Sequence, residues 1–180
     1  MGTLSARQAA PARRTLVAVL CLALAGLAHA AEPLEYAVKA AYLAKFPFYV
    51  DWPPAVFPAP GSPLNLCVVG EDPFGSVLDE AVAGQQVQGH AVTIRRLKGS
   101  ARDPNCHIAY LGTDARLENW RNGTVLVVTD GVNAPGMINF VLKDNRVRFI
   151  VDDDAAAQSG LTISSKLLSV ALAVKPRGGH

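Results

Sequence analysis

A short run, Leu64-Asn65-Leu66-Cys67-Val68-Val69, stops abruptly at Gly70. It is too short for a helix, rich in β-branched residues and flanked by breakers, so it reads as a buried strand. Glu71-Asp72-Pro73 makes a turn, and Phe74 to Ala83 follows with a helical pattern closed by Gly84. Strand, turn and helix form the first half of a βαβ unit, which commits the chain to a parallel sheet with helices packed against it.

The rest of the chain extends that start. Ala91 to Arg96 alternates as a second strand, Cys106 to Leu111 is a third, and Thr124 to Thr129 a fourth. Ala115 to Trp120 is a short helix, and Asp130 to Gly136 is a loop after the fourth strand. Met137 to Lys143 and Arg146 to Val151 are then joined by Asp144-Asn145, a connection tight enough to force an antiparallel hairpin. Asp152 to Asp154 supply helix caps, Ser159-Gly160 breaks the turn that follows, and Leu161 to Val174 is predicted as a closing helix. Upstream, Tyr36, Lys39, Ala40, Leu43 and Phe46 recur at helical spacing within a helix predicted over Glu35 to Tyr49. Pro53, Pro54, Pro58, Pro60 and Pro63 then hold a stiff, irregular loop. The expectation is a single three-layer α/β domain over 31–180. Its sheet is mixed and mostly parallel, flavodoxin- or Rossmann-like, with an antiparallel hairpin and a closing helix at the C-terminal end.

The first 30 residues read as a cleaved export signal. Arg7, Arg13 and Arg14 precede an apolar run of 12 residues, Leu16 to Leu27, and Ala28-His29-Ala30 offers the small-residue cleavage site. The run is short for a transmembrane helix, although an uncleaved anchor is the alternative. Arg13-Arg14 leaves twin-arginine export open beside the general route. Cys21 follows Leu20, where lipoprotein processing wants a small residue, so it reads as part of the apolar run. Removing three arginines from the 17 basic residues leaves 14 against 15 acidic ones, a balance that gives no footprint for nucleic acid or an anionic membrane. Two of the three cysteines remain, Cys67 and Cys106. In an oxidising compartment such an isolated pair reads as one disulfide, the alternative being two separate buried thiols.

No catalytic set emerges. Gly70 to Gly75 has the spacing of a phosphate loop, but Ser76-Val77 stands where Lys and Ser or Thr are needed, and Glu71 and Asp72 would repel phosphate. Ile163 occupies the serine position of an S-x-x-K motif ending at Lys166, and no G-x-S-x-G is present. His90, His107 and His180 sit at no metal-ligand spacing, and Asp152 to Asp154 lack the glycine and distal glutamate of a calcium loop. A hydrolase therefore lacks a nucleophile and base, and neither cofactor nor metal is implied.

Several segments together resemble the YfiR family of bacterial periplasmic proteins. They are Val38 to Phe46, Asp51-Trp52-Pro53, Cys67 to Gly75, Cys106-His107-Ile108, Gly136 to Phe140, Arg146 to Phe149 and Ala155 to Leu168. The resemblance implies a non-enzymatic repressor. It would bind the periplasmic domain of an inner-membrane diguanylate cyclase, YfiN-like, and restrain cyclic-di-GMP signalling and biofilm formation. It also implies possible sequestration by a YfiB-like outer-membrane lipoprotein, a homodimer, and a link between activity and disulfide state. Cys67 and Cys106 match the family's disulfide positions, and Leu161 to Leu168 matches a region of partner contact. The second cysteine pair that some members carry near the last hairpin is missing between Met137 and Val151. An adaptor needs a rigid scaffold and an apolar patch with a polar rim. Candidate partner-binding residues are Trp52, Phe57, Leu161, Ile163, Lys166, Val174 and Pro176. The alternative is a periplasmic small-molecule-binding module, with a pocket at the carboxyl ends of the strands near Gly70 and Asp130.

Overall fold

The computed structural model describes residues 31–99, 102–113, 115–120, 122–131 and 136–178. The predicted export signal, 1–30, lies outside them. The unit Tyr36–His180 carries the fold.

The predicted anchor strand is β2, Leu64–Val69, and all six of its residues are buried. It lies between β4 (His90–Leu97) and β5 (Ile108–Leu111), parallel to both. Beyond β5 come β6 (Leu126–Asp130) and β7 (Ile138–Lys143), again parallel. The central strands therefore run β4-β2-β5-β6-β7. Antiparallel β8 (Arg146–Asp152) follows on one side, then β10 (Ala173–Lys175), and two-residue β3 (Gln86–Val87) closes the other side of an eight-stranded mixed sheet. Two further short strands, β1 (Val50–Asp51) and β9 (Thr162–Ile163), pair with each other outside the sheet.

Because side chains alternate along a strand, β2 contributes to two cores. Leu64, Leu66 and Val68 enter one cluster with Ile108, Tyr110, Leu126, Val128, Ile138 and Phe140. Helix α1 (Ala31–Lys45) brings Ala40, Leu43 and Ala44 to it, α2 (Ser76–Val82) brings Leu78 and Val82, α3 (Asp153–Gln158) brings Ala156, and α4 (Ser165–Val170) brings Leu167. Cys67 and Val69 instead face Ala109, Leu111, Val127, Cys106 and Trp120. Trp120, fully buried, comes from a 3₁₀ turn at Leu117–Trp120. Among the described residues, the helices all load the first face, and the expected third layer is reduced to that turn and the 98–107 crossover. The reason lies in segment length. The β6–β7 connection spans 131–137, and it suffices for a parallel pair only because the strands overlap by three residues.

Local chemistry explains the boundaries. Helix α1 ends at Lys45, where Pro47 lacks the N–H that would continue it, and Phe46–Tyr49 tightens into a 3₁₀ turn. The Asp72 carboxylate accepts from the N–H groups of Phe74 and Gly75, shaping the turn into α2. Arg96 locks that turn to the exit of β4, donating to Asp72 at 2.6 Å, to Asp79 at 2.7 and 3.0 Å, and to the Gly75 carbonyl at 2.8 Å. Asp144 and Asn145 both take positive φ, 51° and 57°, as a two-residue hairpin turn requires.

The predicted closing helix over 161–174 does not form. Leu161 and Ile163 alternate inward with exposed Thr162 between them, so this stretch pairs as β9 against β1. Ser164 then caps α4 by accepting from the Lys166 N–H, and the chain extends again as β10 along β8. A second hairpin, β3–β4, turns through Gln88 and Gly89 at positive φ.

Cys67 and Cys106 are joined by a disulfide, with Cα atoms 5.8 Å apart and a sequence separation of 39. It ties the central strand to the chain entering β5, on the face that lacks helices. Closing a loop of that length is worth roughly 4 kcal/mol in the chain-entropy model. The paired variant Cys67→Ala/Cys106→Ala is therefore expected to lower urea-unfolding stability by up to about 4 kcal/mol. Strong reductant should do the same to the native chain and leave the variant unchanged.

Candidate functional site

The carboxyl ends of the parallel strands are where a ligand crevice is expected in such a sheet. Among the described residues, several close contacts gather there. After β2, Glu71 sits against Gly112 so closely that a Cβ at Gly112 would lie 2.6 Å from the Glu71 carbonyl oxygen. Thr113 Oγ1 also donates to the Glu71 carboxylate at 3.1 Å. At the end of β6, the Asp130 carboxylate meets Lys39 Nζ at 2.5 Å and accepts from the Tyr110 hydroxyl at 3.4 Å. Lys39 is 2 % exposed and lies 4.8 Å over the Tyr36 ring. Burial, reinforced by the Asp130 charge, pushes the Tyr110 hydroxyl pKa far above its ordinary value, so it stays a neutral donor. This cluster fastens α1 to the sheet. Near Gly70 and Asp130, where a pocket was expected, the described residues make these polar contacts.

The amino ends are organised differently. The proline-rich loop folds under them, and Phe57 stacks on His90 at 3.6 Å and on His107 at 4.7 Å. His107 is 3 % exposed, and its Nδ1 accepts the Asn65 N–H at 3.1 Å. Burial lowers the His107 pKa, the nearby Val56 carbonyl pulling the other way, so the ring is neutral with its proton on Nε2. Among the described residues, no group of His, Cys, Asp and Glu is arranged to hold a metal ion.

The candidate partner-binding residues separate into core and surface. Trp52, Leu161 and Ile163 are buried in the first core, and a partner does not reach them without opening the fold. Phe57 is half-buried in its stack with the two histidines, and Val174 is half-buried on β10. Lys166 and Pro176 are exposed. Phe48, four residues before buried Trp52, is 46 % exposed. Exposed apolar side chains the pattern did not single out include Leu142 and Val77 elsewhere on the fold and, close to Phe48 in the chain or across from it, Tyr49, Val170 and Leu172. Phe48 and Tyr49 lie on the 3₁₀ turn, which packs against α4, and the Tyr49 carbonyl accepts from the Ser164 N–H at the start of that helix. Val170 ends α4 and Leu172 follows it. The turn and α4 thus present large apolar groups beside Lys45 and Lys166. The signal for this face was the incompletely apolar helix pattern after Ser164, masked by reading 161–174 as one helix.

A protein-family model described as YfiR/HmsC-like matches residues 36–172. No curated protein gives a significant match. Among the described residues, no helix is long and apolar enough to cross a membrane.

Two stability outcomes follow from this geometry. Asp130→Asn strips the counter-charge from a buried ammonium and is expected to cost about 3 kcal/mol, whereas Lys39→Met/Asp130→Leu recovers most of that loss in thermal unfolding. His107 has a folded-state pKa below that of the unfolded chain, so the unfolded state takes up the extra proton. Stability contributed by the neutral ring is complete above about pH 6.5 and falls as the pH drops toward the folded-state pKa. Melting curves between pH 7.5 and 5 should show that decline, and His107→Phe should flatten it.

Proposed function

The chain belongs to the YfiR/HmsC-like family, and we propose that it is a non-enzymatic periplasmic regulator that binds and represses the periplasmic domain of an inner-membrane diguanylate cyclase. In that role it limits cyclic-di-GMP synthesis and biofilm formation. The observation that carries this reading is the family match over 36–172, which takes in both core clusters and the disulfide. The Cys67–Cys106 bond supports an oxidising compartment and agrees with export by a cleaved signal. A homodimer and a YfiB-like outer-membrane lipoprotein as antagonist belong to the same proposal.

Repression by binding requires differential affinity, because a ligand that binds active and inactive cyclase equally shifts nothing. Turning a population from 99:1 active to 99:1 inactive takes about 10⁴-fold preference for the inactive state. A rigid presenter supplies such discrimination with little ordering entropy lost on docking. The exposed face formed by Phe48, Tyr49, Val170 and Leu172, rimmed by Lys45 and Lys166, is the surface we assign to that contact, with Pro176 beyond it at the end of β10.

The oxidised chain from Ala31 onward, immobilised and exposed to solubilised membranes of the source cells, should retain a transmembrane diguanylate cyclase identifiable by mass spectrometry. Leu172→Asp should weaken that retention at least about tenfold with an unchanged melting temperature. Folded protein that retains no cyclase overturns the reading.

A further inference from the structure

We propose that the cavity at the amino ends of β2 and β5 is a binding site for a compact organic carboxylate. The cavity holds about 280 Å³ and is lined on one side by Val56, Pro58 and Pro63 and on the other by Asn65, Arg95 and His107. It lies on the sheet face without helices, for Arg95 is the register partner of Cys67 and Asn65 that of Thr93. Among the described residues, the proline-rich loop and Asn105 to His107 line that corner.

The walls are already in place. Five prolines stiffen the loop. His90 Nδ1 lies 2.6 Å from the Ser62 carbonyl, and its ring stacks on Phe57 at an interplanar angle of 6°. Asn65 is held at three points. Its amide nitrogen donates to the Asn105 carbonyl at 2.8 Å, its side-chain oxygen accepts from Thr93 at 2.7 Å, and its backbone N–H goes to His107. A site built this way binds without first paying to order itself.

Two donors remain. His107 carries its proton on Nε2, which is buried beside the Val56 and Asn105 carbonyls but makes no well-formed hydrogen bond among the described residues. Arg95 pairs with Asp103 through one guanidinium nitrogen at 2.8 Å, and its side chain is 38 % exposed. A planar guanidinium with spare N–H groups matches a carboxylate. A phosphate dianion fits less well, because Asp103 already offsets the one lining cation. Val56 and the two prolines suit an apolar body. The volume corresponds to on the order of ten non-hydrogen atoms, small for an organic ligand pocket.

Benzoate is a probe of that size, and benzamide has the same shape without the charge. With the oxidised protein, benzoate should shift the ¹⁵N signals of the His107 ring and the Arg95 side chain saturably below ~10 mM. Benzamide should bind at least about tenfold more weakly, as should benzoate to Arg95→Gln. Val56→Trp fills the cavity and should abolish the shifts, which decides the matter if Arg95→Gln fails to fold. No saturable His107 shift, equal binding of benzoate and benzamide, or wild-type binding by either variant overturns the proposal. The outcome is independent of whether a cyclase is bound.

Discussion

Burying Leu64 to Val69 on both faces is the constraint from which the architecture follows. A strand with no solvent face must satisfy every backbone group in ladders, so β4 and β5 take both of its edges. Parallel neighbours require crossovers, and leaving β2 in opposite directions sends those crossovers to opposite faces under the right-handed rule. Helix α2 accordingly falls on the first face, and the segment carrying Cys106 on the second. Cys67 is one of the three β2 side chains that point to that second face, and the disulfide is made there.

The two faces are stabilised by different means. The first has four helices and a stacked aromatic group, with Phe46 5.7 Å from Phe140 and 5.3 Å from Phe149. The second has a covalent bond, one buried tryptophan and a sparse cover. A face short of apolar volume gains most from a cross-link that restricts the unfolded chain. The same shortage leaves room at its amino-end corner. The chain passes Asn105, Cys106 and His107 in succession, so the bond that secures the face also fixes the wall of the cavity.

Strands with strong period-two or fully apolar character were legible from the residues, and β2, β4, β5, β6 and the β7–β8 hairpin lie where their patterns put them. The cysteine pair was legible too, because outside the predicted export signal Cys67 and Cys106 offer one pairing. The 161–174 stretch was not. Its leucines and valines fit a helical period and a strand period nearly equally over so short a range, and the choice was made by the free edge of β8 and by pairing with Val50–Asp51, both remote in sequence. Gln86–Val87 had too few residues to register as a strand. Candidate contact residues chosen for being large and apolar near prolines or at the chain end divided between core and surface, because size and hydropathy alone do not say which side of a 3₁₀ turn or an edge strand meets water.

The contacts at the carboxyl ends bear on what kind of protein this scaffold makes. In many sheets of this type the strand ends spread to admit a ligand, and function sits in the loops there. Here Lys39 and Asp130 draw the first helix over one strand end, and Glu71 occupies the gap between β2 and β5. A helix held to the sheet by such contacts suits a molecule that acts by presenting a surface to another protein. A ligand in the cavity at the opposite end, beside the proline-rich loop, would brace the segment leading from β1 toward β2.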